Sequence, residues 1–309
     1  MNLGMNLVVF GLGYSSLRFV ELFGDRFARI LGTVRRPETC ERLRQFGSER
    51  RVDVHLFDGA AHEPEIAVRT SEADVVLVSV PPGHAGDPVL TAFGETLRNA
   101  SARVVYLSTV GVYGDHQGAW IDERTEAASG SERAKARLAA EAGWRTIAGT
   151  RLAILRLAGI YGPERNALVR LRDGAARRIV KPGQVFNRIH VDDIARAVMA
   201  AVARGASGVF NVCDDEPAPP QDVIAYAANL LGLVPPPGED YATAEMTAMA
   251  KSFYATSNRI RNTRAKRDLG LELAFPTYRE GLDRLWRDGE GRGGKGERAP
   301  GIIPTSNSL

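Results

Sequence analysis

Met5-Asn6-Leu7-Val8-Val9-Phe10-Gly11-Leu12-Gly13-Tyr14-Ser15-Ser16 is an apolar run that ends at once in glycines. Such a run predicts a strand buried in a parallel sheet. The residues from Ser15 to Leu22 have helical character, so strand, tight turn and helix N-terminus follow in order. Backbone N–H groups point outward at such an N-terminus, and the helix dipole favours an anion there. Gly11 permits the turn and Gly13 lets the backbone approach a pyrophosphate. Tyr14 and Ser15 stand at the turn as cofactor contacts, and Ser16 stands where a third glycine completes a dinucleotide fingerprint, small enough for helix and strand to pack closely. Taken alone, two glycines in a βα turn fit an ordinary turn as well as a phosphate cradle.

The rest of the chain extends the same rhythm. Arg29–Val34 reads as a second strand and closes on Arg35-Arg36, with no acid between Thr33 and Arg36. An acid near this place selects NAD through the ribose hydroxyls, whereas an arginine fork accommodates the 2′-phosphate of NADP. The two arginines therefore favour NADP(H) over NAD(H), against the plainer reading of a solvated basic pair before Pro37. Val52–Phe57 is the third strand and ends at Asp58-Gly59, where Asp58 faces an adenine edge or caps a turn. Asp74–Val80 is continuously apolar and stops at Pro81-Pro82-Gly83, a stiff loop that a doubly wound sheet would place over the cofactor beside Val80. Further strands at Arg103–Thr109, Leu152–Leu157 and Gly208–Val212 alternate with helices at Pro37–Phe46, Glu63–Ser71, Pro88–Asn99, Ser131–Ala148 and Val191–Arg204. This alternation predicts an α/β fold, a parallel sheet with helices on both faces.

From Leu157 onward the rhythm breaks. Pieces within 158–190 and 233–288, among them helices at Arg165–Arg172, Ala244–Tyr254 and Tyr278–Arg287, are expected to form a small substrate lobe over the carboxyl edge of the sheet. Residues 1–288 would then make one dinucleotide-binding domain with this lobe, and the glycine-rich 289–309 a disordered tail. Of 309 residues, 44% are hydrophobic and 25% charged, which is ordinary for a globular domain large enough to need no disulfide or metal staple. Cys40 and Cys213 are expected to be two reduced thiols. A net charge of +3 without a basic stripe argues against nucleic acid, and no apolar stretch reaches membrane-spanning length. A cytoplasmic address is the default.

Several segments together resemble the short-chain dehydrogenase/reductase superfamily, in its NAD(P)-dependent epimerase/dehydratase branch. Ser108-Thr109-Val110-Gly111-Val112-Tyr113-Gly114 looks like the S-[ST]-x-x-V-Y-G end of strand five, and Asp122-Glu123 like an acidic pair that follows it. Leu155–Pro163 is similar to L-R-x-x-x-[VI]-Y-G-P, Arg188–Ala195 to H-V-D-D-[VIL]-A with its flanks, and Phe210-Asn211-Val212 to a [YF]-N-[VI] strand. The segments run in order from residue 5 to about residue 285, nearly the whole chain. The resemblance implies a Rossmann-type doubly wound sheet with a small C-terminal substrate lobe, a nicotinamide cofactor, a nucleotide sugar or small carbonyl compound as substrate, and a homodimer.

The branch's chemistry uses a Ser/Thr, a tyrosine as general acid/base and a lysine four residues after the tyrosine. Thr109 matches the hydroxyl and Lys135 the lysine, which would also hold the cofactor's ribose, but Ser131 stands at the tyrosine's position. A serine hydroxyl cannot replace a phenol without another base. The resemblance is therefore to atypical members, and three explanations stand. Another group moves the proton, with Tyr113, Tyr161, Glu132 and Asp87 as candidates. Alternatively, the reaction needs only hydride delivery, or the protein binds NADP(H) without turnover, as a sensor. His190 with Asp192 and Asp193 reads as a helix start rather than a metal site, Arg165 as a contact for an anion in the lobe, and Met246 with Met249 as core.

Overall fold

The computed structural model describes residues 4–50, 52–59, 62–128 and 130–293, without the side chains of 45–50. The strands β1 (Asn6–Phe10), β2 (Arg29–Val34), β3 (Val52–Leu56), β4 (Val75–Val78), β5 (Arg103–Thr109), β7 (Leu152–Leu157) and β11 (Gly208–Val212) form one sheet in the order β11-β7-β5-β4-β1-β2-β3. Every pairing in it is parallel. The order reverses at β1, so the crevice between the ends of β1 and β4 is where a doubly wound sheet receives its ligand.

The central strands are readable because they are apolar on both faces. Leu7 and Val9, Val75 and Leu77, and Val105 and Leu107 belong to one core. Their neighbours Val8 and Phe10, Val76 and Val78, and Val104 and Tyr106 belong to the other. A period of two sends alternate side chains to opposite layers. One layer holds α1 (Tyr14–Phe23), α7 (Val191–Arg204) and α10 (Thr263–Leu269), with α1 packed on α7 and α7 on α10. The other holds α3 (Pro64–Ser71), α4 (Pro88–Asn99) and α5 (Glu132–Ala148), while α2 (Pro37–Arg50) connects β2 to β3.

A buried ion pair ties α5 to the sheet. Arg156 of β7 forks onto Glu141, Nη2 to Oε2 at 2.8 Å and Nε to Oε1 at 3.1 Å, and Ser108 donates to the same carboxylate at 2.6 Å. Burial alone would raise the pKa of Glu141, but the guanidinium outweighs it and holds the carboxyl below its ordinary value.

Outside the sheet the chain is finely divided. A third core joins α6 (Ala167–Arg172), α8 (Pro220–Leu230) and α11 (Tyr278–Arg287). Short parallel pairs brace it. They are β8 (Gly159–Tyr161) with β10 (Arg188–His190), β9 (Arg178–Val180) with β12 (Gly238–Asp240), and β6 (Trp120–Ile121) with β13 (Arg259–Ile260). α9 (Ala248–Tyr254) begins four residues later than the sequence suggests, because Thr247 caps it by accepting from Ala250 N. Gly289–Gly293 does not begin a loose tail: Glu290 accepts from Glu164 N at 3.1 Å and from Asn166 Nδ2 at 3.2 Å. Residues 294–309, the remainder of the expected tail, lie outside the described residues. No helix among the described residues is long and apolar enough to cross a membrane.

Candidate active site

One continuous cleft of 3210 Å³ runs from the first glycine turn, across the ends of β1, β4 and β5, to the lobe. This is several times an ordinary ligand pocket and has room for a dinucleotide with a second molecule. At its first end Gly11 has φ +91°, and a Cβ there would stand 2.9 Å from Val80 Cγ2. Its N–H donates to Thr33 Oγ1 at 3.0 Å and Leu12 N donates to Thr33 O at 2.7 Å, which pins the turn to β2. Gly13 is the N-cap of α1, and a Cβ on it would meet nothing within 4 Å. The amides of Tyr14, Ser15 and Ser16 open the helix, where no intrahelical carbonyl can accept from them. α1 carries no acid in its first turn. Open space over a glycine, fronted by helix-start amides, fits a diphosphate.

Ser16 reaches that site differently from expectation. It is fully buried, donates to Gly11 O and accepts from Gly13 N, so its hydroxyl is spent inside the turn and does not line the cleft. Tyr14 and Ser15 do line it. The Tyr14 phenol donates to Pro163 O at 2.8 Å and its ring lies 4.8 Å beneath the Arg165 guanidinium. Burial raises the pKa of this phenol. Arg165 thus meets the helix that fronts the diphosphate cradle, at the seam between sheet and lobe.

Arg35 and Arg36 line the cleft beyond β2, with Asp58, Val80 and Pro81, as the sequence suggests. Arg42, one helical stretch further along α2, joins them and was missed. Its signal was a position facing back along α2 towards the same strand end. Glu38 lines this region as well. Among the described residues no carboxylate lies within 4.0 Å of Arg35 or Arg42. Pro82 does not line the cleft.

Of Thr109, Ser131, Lys135 and Tyr113, only Thr109 lines the cleft. Its Oγ1 accepts from Gly111 N at 3.1 Å, which caps the single 3-10 turn Val110–Tyr113 and leaves the hydroxyl hydrogen for another acceptor. Ser131 is the N-cap of α5, accepting from Ala134 N. Lys135 projects away from the cleft and pairs with Glu132 at 2.8 Å, the ordinary outcome for opposite charges three residues apart on an exposed helix face. That bond holds the Glu132 carboxyl below its ordinary range, with the His84 imidazole a smaller contributor.

Tyr113 is buried and donates to Asn211 Oδ1 at 2.8 Å, while Arg156 lies 4.8 Å over its ring. Asn211 N in turn donates to Glu123 Oε1 at 2.7 Å. The V-Y-G, acidic-pair and F-N-V segments are therefore partners in one buried network rather than groups at a reacting centre. Asp87 caps α4, accepting from Val89 N, Leu90 N and Trp144 Nε1, and is equally committed. Tyr161 lines the cleft, packed edge-on against His190, with its pKa raised by burial.

His190 is a helix cap, its Nδ1 accepting from Asp192 N at 3.2 Å, and burial lowers its pKa to about 4. Asp192 pairs with Arg18 at 2.6 Å, and Asp193 accepts from Ala274 N and Phe275 N. No group of three metal-ligating side chains occurs among the described residues. One further cleft residue escaped the sequence reading. His84 sits in the tight turn closed by mutual bonds between Gly83 and Gly86, on the loop after β4 and hence beside the end of β5. Met246 and Met249 are cleft wall, not core, with Met249 48% exposed.

Comparison with known proteins agrees with this geometry. Residues 87–213 match the model of the NAD dependent epimerase/dehydratase family. A 3-diazoavenalumate denitrifying reductase of a Streptomyces species is 33% identical over 153 residues, 45% of this chain and 49% of that protein, so the alignment spans about half of the relative's length. A solved structure of a functionally unknown conserved protein from Silicibacter pomeroyi is 44% identical, covers 93% of this chain and 99% of its own, and superposes with a TM-score of 0.82. The UDP-glucuronic acid 4-epimerase of Bacillus cereus, solved in complex with NAD, shares the fold at 16% identity, with a TM-score of 0.71 over 90% of this chain and 96% of its own. With its three-layer fold and its glycine turn at the strand-order reversal, the chain has the fold of these neighbours, and its residues 87–213 match the NAD dependent epimerase/dehydratase family.

Proposed function

We propose that the protein binds NADP(H) along the cleft and exchanges a hydride with a small carbonyl-bearing substrate, or one of nucleotide-sugar type, held beneath the lobe. The observation that carries this reading is the open space over Gly13, fronted by helix-start amides, in one cleft with Arg35, Arg36 and Arg42. When bound there, the coenzyme supplies the hydride chemistry. The amides of Tyr14 and Ser15 hold the diphosphate, and the guanidinium groups hold the additional phosphate through charge-assisted bonds. Val80 and Pro81 cover the face of the site and exclude water. Thr109 directs its hydroxyl hydrogen to the substrate oxygen. The proton comes from His84, the imidazole on the neighbouring loop, in place of the absent phenol. A reductase among the relatives supports the redox part of the reading.

A second reading, a non-catalytic NADP(H) sensor, draws support from Ser131 capping α5 and from Lys135 lying outside the cleft. NADPH oxidation across a panel of carbonyl compounds separates the two. Turnover that falls about 100-fold in His84→Ala with unchanged NADPH affinity supports the enzyme. Tight NADPH binding with no turnover on any compound supports the sensor.

A further inference from the structure

The lobe half of the cleft is rich in arginine, but most of these side chains are committed. Arg172 pairs with Asp173 at 2.8 Å and Arg177 pairs with Glu239. Arg165 and Arg292 lie over the rings of Tyr14 and Trp286. Arg188 lies 5.9 Å over the Tyr278 ring. It lines the cleft at the base of the lobe, its Nη1 donating to Phe186 O at 2.9 Å and Ala218 O at 3.1 Å. No carboxylate of a described residue lies within 4.0 Å of it. Burial lowers its pKa from the ordinary value, yet a guanidinium stays protonated in a protein. Asp214 and Glu216 act on Arg188 through their fields, and burial pushes the Asp214 carboxyl up to about 8. A half-buried guanidinium that lines a cavity with no carboxylate in bonding distance can still take an anionic group there.

The wall that accompanies Arg188 is apolar. Met249 and Phe253 of α9 are 48% and 59% exposed and both face the cleft. Tyr254, next to Phe253, packs its ring on Phe186 at 5.1 Å, and Phe186 supplies one of the carbonyls that fix Arg188. Large apolar side chains left open to solvent in the same cleft as a guanidinium match an amphipathic ligand.

We propose that the substrate is a small organic acid with an apolar, ring-bearing body, its carboxylate paired with Arg188 and its body against Met249 and Phe253. This deepens the hydride-transfer reading and rests on it for the chemistry, though not for the binding. The probe is trans-cinnamate, titrated calorimetrically into the protein with and without saturating NADPH, beside cinnamamide and uridine diphosphate. Cinnamate should bind at least tenfold more tightly than its amide. Arg188→Gln should lose at least tenfold in cinnamate affinity, with Arg188→Lys recovering part of it. Phe253→Asp, at an exposed position, should lose a similar factor with an unchanged melting temperature. Equal binding of acid and amide, full retention in both the Arg188→Gln and Phe253→Asp variants, or tighter binding of uridine diphosphate would overturn the proposal. Failure of NADPH to bind would sink the hydride-transfer reading alone, since the acid–amide comparison on the coenzyme-free protein still decides the anion site.

Discussion

Gly11 and Gly13 stand two residues apart, yet an alanine should harm them in opposite ways. At Gly11 the backbone has φ +91° and the new methyl would stand 2.9 Å from Val80 Cγ2 and 3.3 Å from Val80 N. Left-handed backbone costs an ordinary residue roughly 1–2 kcal/mol. Overpacking against a fixed neighbour adds roughly 1–3 kcal/mol. At about 2 °C per kcal/mol for a domain of this size, Gly11→Ala should lower the melting temperature by about 4–10 °C. At Gly13 the methyl meets no atom, and φ −99° suits any residue. Alanine is a poorer N-cap than glycine by roughly 1 kcal/mol, so the melting temperature should fall by about 2 °C. The methyl does occupy the space in front of the helix-start amides. Displacing one charge-assisted bond there costs roughly 1.5–3 kcal/mol, so NADPH affinity should fall by about 10- to 100-fold. Thermal unfolding and NADPH titration on both variants check the pair. Gly13→Ala binding NADPH within twofold of the parent would refute the placement of the diphosphate.

The arginine end of the cleft gives a selectivity test. Arg35→Ala/Arg36→Ala should weaken NADPH by at least about tenfold while NADH affinity, measured by the same fluorescence titration, changes less than about twofold. Lys135→Ala should leave NADPH affinity unaltered, because the side chain is 59% exposed, pairs with Glu132 and does not line the cleft; a tenfold loss would restore the ribose role that the sequence suggested. His190 sets a pH window. Burial lowers its folded-state pKa to about 4, whereas an unfolded chain protonates near 6.5. Between those values the unfolded state binds more protons, so this group makes stability fall as the pH drops from about 6.5 to 4, by about 3 kcal/mol in all. His190→Asn, which keeps a capping acceptor, should flatten that slope in urea melts from pH 7 to pH 4.5. An unchanged slope would show the imidazole already charged in the folded protein.

The sheet was legible because its strands carry their own signal. Runs such as Val75–Val78 and Leu152–Leu157 are apolar on both faces and are bounded by turns. The glycine turn, Arg35 with Arg36, and Thr109 were legible because a strand's end fixes where the next residues emerge. Motif position alone did not say where a side chain points. Lys135 stands at the expected place on α5 but turns to Glu132, and Ser16 turns inward to the backbone it follows. His84 and Arg42 carried no motif, only a place on a loop or helix that the folded sheet brings to the cleft. The lobe was the least legible part. Its short strands pair with partners up to about 140 residues distant, such as Trp120 with Arg259, and no local periodicity encodes that.

That lobe is assembled from separated lengths of chain. α6 lies before β11 in the sequence, whereas α8 and α11, against which it packs, lie after it. β11, which pairs with β7, separates them in the sequence. Closing the compartment above Arg188 consequently needs chain from both sides of β11, out to residues near 285, whereas the strands and turn that hold the amide cradle at Gly13 lie within the opening eighty residues.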